Sequence, residues 1–217
     1  MVEMMTNRYP DYDVLRKRQG PSWNEPSRQV VDRRLAVPPE NHFFSVTQRR
    51  TLQALCDRIV PQPTDRLPIP VAALVQLKVA EGRGDGYRDV RLPPLQQAWL
   101  LGLDALDSEA RQQHGHCFAE LTAAEQDAMI AAMQRDELQS DAWRGVPAAA
   151  FFSHRVVHDI SAAYYSHPTA WNELGFGGPA SPRGYVRLAE DSRDSWEAAE
   201  AHPGREATAR KLNRHVR

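Results

Sequence analysis

His154 and His158 stand four residues apart in a stretch with helical periodicity, so both project from one side of a helix at the spacing that helical metal ligands use. Asp159 and His167 are the nearest candidates for a third ligand, and His114 and His116 lie on an earlier segment. No Glu stands between the pair where a zincin would carry its general base. A polar helix face is the ordinary outcome for such histidines; a stand-alone helical metalloenzyme using His154 and His158 is one alternative reading of the chain, and a transient helical chaperone that releases its client after folding is another. His158 and Asp159 invite comparison with a proton relay, but neighbouring helix positions point about 100° apart, which predicts no dyad. Ser153, Ser161 and Ser166 offer hydroxyls without the strand-turn-helix elbow that exposes a nucleophile. Asp104, Asp107 and Glu109 read as charges on a solvated face. No catalytic, metal-ligating or cofactor-binding residue is therefore assigned to the chain.

The elements that position these side chains are helical. Ser45 opens a capping box closed by Gln48, and Leu52, Leu55, Cys56 and Ile59 follow at spacings of three and four until Pro61 and Pro63. A second helix runs from Val71 to about Ala80. Gly82, Gly84 and Gly86 after it resemble a phosphate loop only in composition, because no strand precedes them and no helix opens at the last glycine. A third helix starts at Pro94 and carries Leu95, Trp99, Leu103 and Leu106 inward, with Gly115 as its stop. Thr122 and Glu125 form another capping box, starting a fourth helix in which Ala128, Met129 and Ala132 pack while Gln126 and Asp127 face water. The fifth runs from near Pro147 to about Tyr165, followed by a short turn around Thr169–Leu174. No run alternates in the manner of a strand. The expectation is an all-α protein: a single helical domain of about five main helices over 45–186, with an extended N-terminal arm over 1–44 and a charged C-terminal arm over 187–217. A short helix at about Ser27–Leu35 is an open alternative to coil in the first arm.

The chain has 217 residues with 27 basic against 28 acidic side chains, a balance that gives no electrostatic case for nucleic acid or an anionic membrane surface. No run approaches the ~20 apolar residues of a membrane span. The pair Arg33-Arg34 is followed by Leu35-Ala36-Val37 and then Pro38-Pro39, too short an apolar stretch for a twin-arginine signal. On this evidence the chain is cytoplasmic, or periplasmic if co-exported with a signal-bearing partner. Cys56 and Cys117 read either as small buried hydrophobes or as one helix-to-helix disulfide.

Isolated large aromatics stand in the polar, Pro-containing arms. Such rings want a surface to bury against, so Tyr12, Trp23, Tyr185 and Trp196 are the expected contacts for a partner protein. Tyr164-Tyr165, Trp171 and Phe176 concentrate aromatic area at the end of the body, read as core packing or as a partner-facing patch.

Taken in order, several stretches resemble the gluconate 2-dehydrogenase subunit 3 family. They are Leu52-Gln53-Ala54-Leu55-Cys56-Asp57-Arg58-Ile59-Val60-Pro61, Gly102-Leu103-Asp104-Ala105-Leu106-Asp107, Phe118 with Leu121 and the Thr122 cap, Phe151-Phe152, Tyr164-Tyr165 and Pro182-Arg183-Gly184-Tyr185. The resemblance covers roughly Val46 to Tyr185. It implies a non-catalytic small subunit that binds a large flavoprotein of the glucose-methanol-choline type and supports its folding, flavin loading or export. FAD and the base for sugar oxidation would then reside on the partner, with a cytochrome or another acceptor taking the electrons. The missing twin-arginine signal is a departure from many members of the family.

Overall fold

A computed structural model describes residues 8–36, 38, 40–138, 140–184, 193–194 and 196–216. Its helices, in chain order, are α1 (Glu25–Leu35), α2 (Val46–Ile59), α3 (Val71–Ala80), α4 (Leu95–His114), α5 (Ala123–Gln134), α6 (Ala148–Phe151), α7 (His158–Ser166), α8 (Pro168–Leu174) and α9 (Glu206–Arg214). A π-helical turn, Phe152–Val157, joins α6 to α7, and short 3-10 turns occupy Val14–Gln19, Phe118–Glu120 and Asp141–Trp143. Among the described residues there is no strand, only an isolated bridge between Trp23 and Ser181. The protein is all-α.

The chain divides into two compact units, 37–164 and the combined ends 1–36 with 165–217. In the first, both capping boxes form as their sequence predicts: Ser45 with Gln48 opens α2, and Thr122 with Glu125 opens α5. α4 is the core helix. Its Ala98, Trp99, Leu103, Leu106 and Ala110 are buried, and α2, α3 and α6 all pack on it. Gly102 lets the Phe151 ring lie directly on the α4 backbone, since an added Cβ would come within 2.3 Å of Phe151 Cζ. Phe151 in turn meets Trp99 edge-on, with ring centroids 5.3 Å apart.

Two expectations for surface residues are corrected here. Gln126 is buried and donates to the Phe118 carbonyl, while Ala128 is exposed, so the inner face of α5 is Gln126, Met129, Ile130 and Met133. Asp107 and Glu109 are buried as well. Asp107 accepts from the Phe118 amide at 3.0 Å and pairs with Arg111; Glu109 accepts from the Ser140 amide and from Trp143 Nε1. Each carboxylate thus satisfies donors of a loop that has no regular partner of its own.

The second unit combines residues of the two arms expected to be extended with residues from 165 onward that were expected to belong to the helical body. Asn24 caps α1 through the Ser27 amide, and Tyr12, Val14, Trp23, Val31, Trp171, Ala198 and Val216 share one core. Polar side chains stitch the ends together: Asn172 Oδ1 accepts from the Val14 amide at 2.8 Å, and Asn213 donates to Pro10 O and Ala199 O while accepting from the Ala199 amide. Gly175, at φ +63°, lies against the Tyr9 ring, where an added Cβ would come within 2.5 Å. Residues of both arms thus share a core with Trp171 of α8.

Candidate functional site

A polar constellation of the 37–164 unit lies where the turn after α3 meets the π segment. Lys78, in the last turn of α3, bonds Asp85 Oδ1 at 2.6 Å and Asp159 Oδ1 at 2.8 Å. Arg155 approaches the other oxygens, Asp85 Oδ2 at 3.2 Å and Asp159 Oδ2 at 3.5 Å. Trp99 Nε1 donates to Asp159 Oδ2 at 2.8 Å from within α4. A π turn carries one residue more than an α turn, and such insertions recur at functional positions. Here it sits directly before α7 and contains both His154 and Arg155.

Lys78 feels burial first, which disfavours its ammonium, yet its hydrogen bonds to Asp159 and Asp85 outweigh that and hold its pKa above the ordinary value. Asp85 shows the mirror image: burial works to raise it, and the Lys78 bond, with Arg155, keeps it below the usual carboxylate range. Asp89 is held well below that range by the side chain and amide of Arg91. These groups are ionised together and neutralise one another.

The two histidines do not meet on a common ligand position. His154 Nε2 pairs with Asp89 Oδ2 at 3.1 Å, whereas His158 Nδ1 lies 3.0 Å from Asp159 Oδ1 and 3.9 Å from Asp85 Oδ2. The prediction that His158 and Asp159 form no dyad is corrected: rotation about their side-chain torsions brings the two together although their Cβ vectors diverge. Asp85, His158 and Asp159 place potential metal-binding atoms within 4.8 Å of one another. The arrangement fits a metal poorly, because Lys78 and Arg155 already occupy the oxygens of both carboxylates and a divalent ion would sit against two like charges. Sequence reasoning overlooked Lys78, Asp85, Asp89, Trp99 and Arg155. A local signal was the i, i+4 spacing of Arg155 and Asp159 in the helical stretch.

Within the unit formed by the chain ends, three of the expected partner contacts are core residues. Tyr12, Trp23 and Trp196 are 5%, 2% and 6% exposed, and Tyr185 lies outside the described residues. The Trp196 ring is flanked by Lys17 Nζ at 4.9 Å and Arg183 Cζ at 5.2 Å. Lys17 is fully buried and donates to the Gly177 carbonyl; burial, with Arg183 nearby, pushes its pKa down to about 8. A groove of about 520 Å³ in the same unit is lined by Tyr9, Leu174, Phe176, Arg193, Glu197 and Ala198.

Cys56 and Cys117 are both free thiols. Cys56 is buried in α2, and Cys117 accepts from Arg111 Nη2 at 3.1 Å.

The described elements are helices, which define an all-α protein lacking, among the described residues, the strand-loop-helix unit of a dinucleotide-binding fold. The chain belongs to the gluconate 2-dehydrogenase subunit 3 family, which it matches over residues 46–178. Comparison with curated proteins and with solved structures finds no match. No described helix is long and apolar enough to cross a membrane.

Proposed function

We propose that this chain is the small accessory subunit of an FAD-dependent sugar or polyol dehydrogenase complex, binding a large flavoprotein subunit and supporting its folding, flavin loading or export. The family match over residues 46–178 carries this reading. The chemistry of the helical unit agrees with it, since Lys78, Asp85, Arg155 and Asp159 are committed to one another rather than aimed at a substrate. The Gly82–Gly86 turn does not suit the pyrophosphate of FAD, because it follows α3, and a pyrophosphate cradle of the Rossmann type follows a strand. The flavin, the base that accepts the hydroxyl proton and the exit to a cytochrome or another acceptor are assigned to the partners.

Co-expression with the large subunit tests the proposal. A stoichiometric complex that carries a flavin spectrum, and a large subunit that loses flavin or solubility when expressed alone, are the expected results. A large subunit that folds, binds flavin and oxidises its sugar equally well without this chain would refute the accessory role.

A further inference from the structure

His114 ends α4, Gly115 caps it in the left-handed conformation at φ +78°, and His116 and Cys117 follow; Glu125 is the third residue of α5. The connection brings an imidazole and a carboxylate of two helices together. His114 Nδ1 lies 3.6 Å from Glu125 Oε1, which is too long for a hydrogen bond. Two ligands each about 2.1 Å from one tetrahedral zinc ion stand about 3.4 Å apart, close to what this pair shows.

Glu125 is held in place for such a role. Its Oε2 accepts from the Thr122 amide at 2.8 Å and from Thr122 Oγ1 at 2.7 Å, which leaves Oε1 to His114. Ligating carboxylates are ordinarily oriented by hydrogen bonds of this kind. The Thr122 side chain first, and then its amide, keep the Glu125 carboxyl below the usual range, and the charges of His114 and His116 add to the effect. His116 thus acts on the same carboxylate. Its Cα stands at most about 7.6 Å from that of His114, two peptide units away, and its ring is exposed. Rotation about two side-chain torsions is enough to bring it to the shared position.

The surroundings contrast with the Asp85 cluster, where Lys78 and Arg155 occupy the carboxylate oxygens. Here the neighbouring cations are matched elsewhere, Arg50 by Glu120 and Arg111 by Asp107. Among the described residues no Lys or Arg pairs with Glu125, so its charge is uncompensated while the histidines are neutral. The His114 and Glu125 side chains are 29% and 41% exposed, which leaves room for water to complete a coordination shell.

We propose that His114 Nδ1, His116 and Glu125 Oε1 bind a divalent cation of the zinc type, with water as the fourth ligand, clipping the end of α4 to the start of α5. Two imidazoles and one carboxylate, with water in the open position, are a ligand set that zinc takes. The site needs no partner subunit to be seen.

Isothermal titration of the metal-free full chain with zinc chloride at neutral pH tests this, alongside His114→Ala, His116→Ala, Glu125→Gln and, as a control, His158→Ala. Gln serves at this position of a capping box as Glu does, so Glu125→Gln removes the charge without opening the helix. A single zinc ion per chain is expected, its affinity lowered more than about tenfold by each of the first three changes, since even outer-shell partners of a metal are worth about 10–100-fold. His158→Ala should bind as the unaltered chain does. Zinc should also raise the melting temperature of the unaltered chain and leave that of His116→Ala where it was, with circular dichroism without zinc confirming that this variant is folded. Absence of zinc binding would reduce His114 and Glu125 to a plain ion pair and overturn the proposal, as would binding that survives His116→Ala. Loss of binding in His158→Ala alone would move the ion to the Asp85 cluster and overturn it too.

Discussion

Trp99 Nε1 and Asp159 Oδ2 meet at 2.8 Å, joining the core helix α4 to α7, which carries His158. Asp159 is fully buried as a side chain and also receives Lys78, Arg155 and His158. A carboxylate so placed is the hub on which several otherwise unsatisfied donors depend.

Replacing Asp159 with Ala is expected to destabilise the chain by about 3–5 kcal/mol, because it leaves Lys78 and Arg155 to share Asp85 and deprives the buried Trp99 Nε1 of its acceptor. Asp159→Asn keeps an acceptor for Trp99 but not the charge, and should fall between Asp159→Ala and the unaltered chain. Urea denaturation followed by far-UV circular dichroism measures both. A loss below about 1 kcal/mol for Asp159→Ala would show that the donors find other partners.

The sequence disclosed what is local and concealed what is distant. The Ser45 and Thr122 capping boxes need only residues three apart, and the apolar spacing of α2 and α4 is written within two turns, so these elements were legible. The arms were not, because the core they enter joins Tyr12, Val14 and Trp23 to Trp171 of the expected body and to Ala198 and Val216, across more than a hundred residues without any periodic signal. Aromatics in such a setting look unpartnered when their partners lie at the opposite end of the chain. Asp107, Glu109 and Gln126 misled for a related reason: each is buried by the loop backbone that it satisfies, and loop trajectories leave no pattern in the sequence.

Lys17 gives a pH dependence with a definite sign. Its pKa falls from the ordinary 10.5 to about 8 in the folded chain, so between those values the unfolded chain holds a proton that the folded chain has released. The penalty for burying the ammonium therefore stands in full below pH 8 and is relieved as pH rises towards 10.5. Unfolding free energy measured at about pH 7 and about pH 10 should favour the higher pH more in the unaltered chain than in Lys17→Met. Equal changes in both proteins would mean that Lys17 titrates normally.

Trp23 separates packing from hydrogen bonding. The side chain is 2% exposed, and among the described residues its Nε1 has no partner. Trp23→Ala is expected to lose about 3–5 kcal/mol through the cavity it leaves. Trp23→Phe keeps most of the ring and removes an unsatisfied buried donor, a saving of about 1–3 kcal/mol that offsets much of the lost contact. Urea midpoints of the two variants should therefore differ widely. A Phe variant as unstable as the Ala variant would show that the indole N–H is bonded.

Gly102 tests which of two opposing effects wins in α4. Helix propensity alone favours Ala over Gly by about 1 kcal/mol in a helix interior. The Phe151 ring, however, occupies the space a Cβ would take, at 2.3–2.5 Å from three ring carbons, and it is itself clamped against Trp99. Overpacking of a filled core costs about 1–3 kcal/mol, enough to reverse the propensity gain. Gly102→Ala should lower stability, and Gly102→Ala/Phe151→Leu should recover part of the loss relative to the sum of the single changes, as expected for residues in direct contact. Additive single changes, or an Ala variant more stable than the parent, would mean that the ring does not rest on the helix backbone at this point.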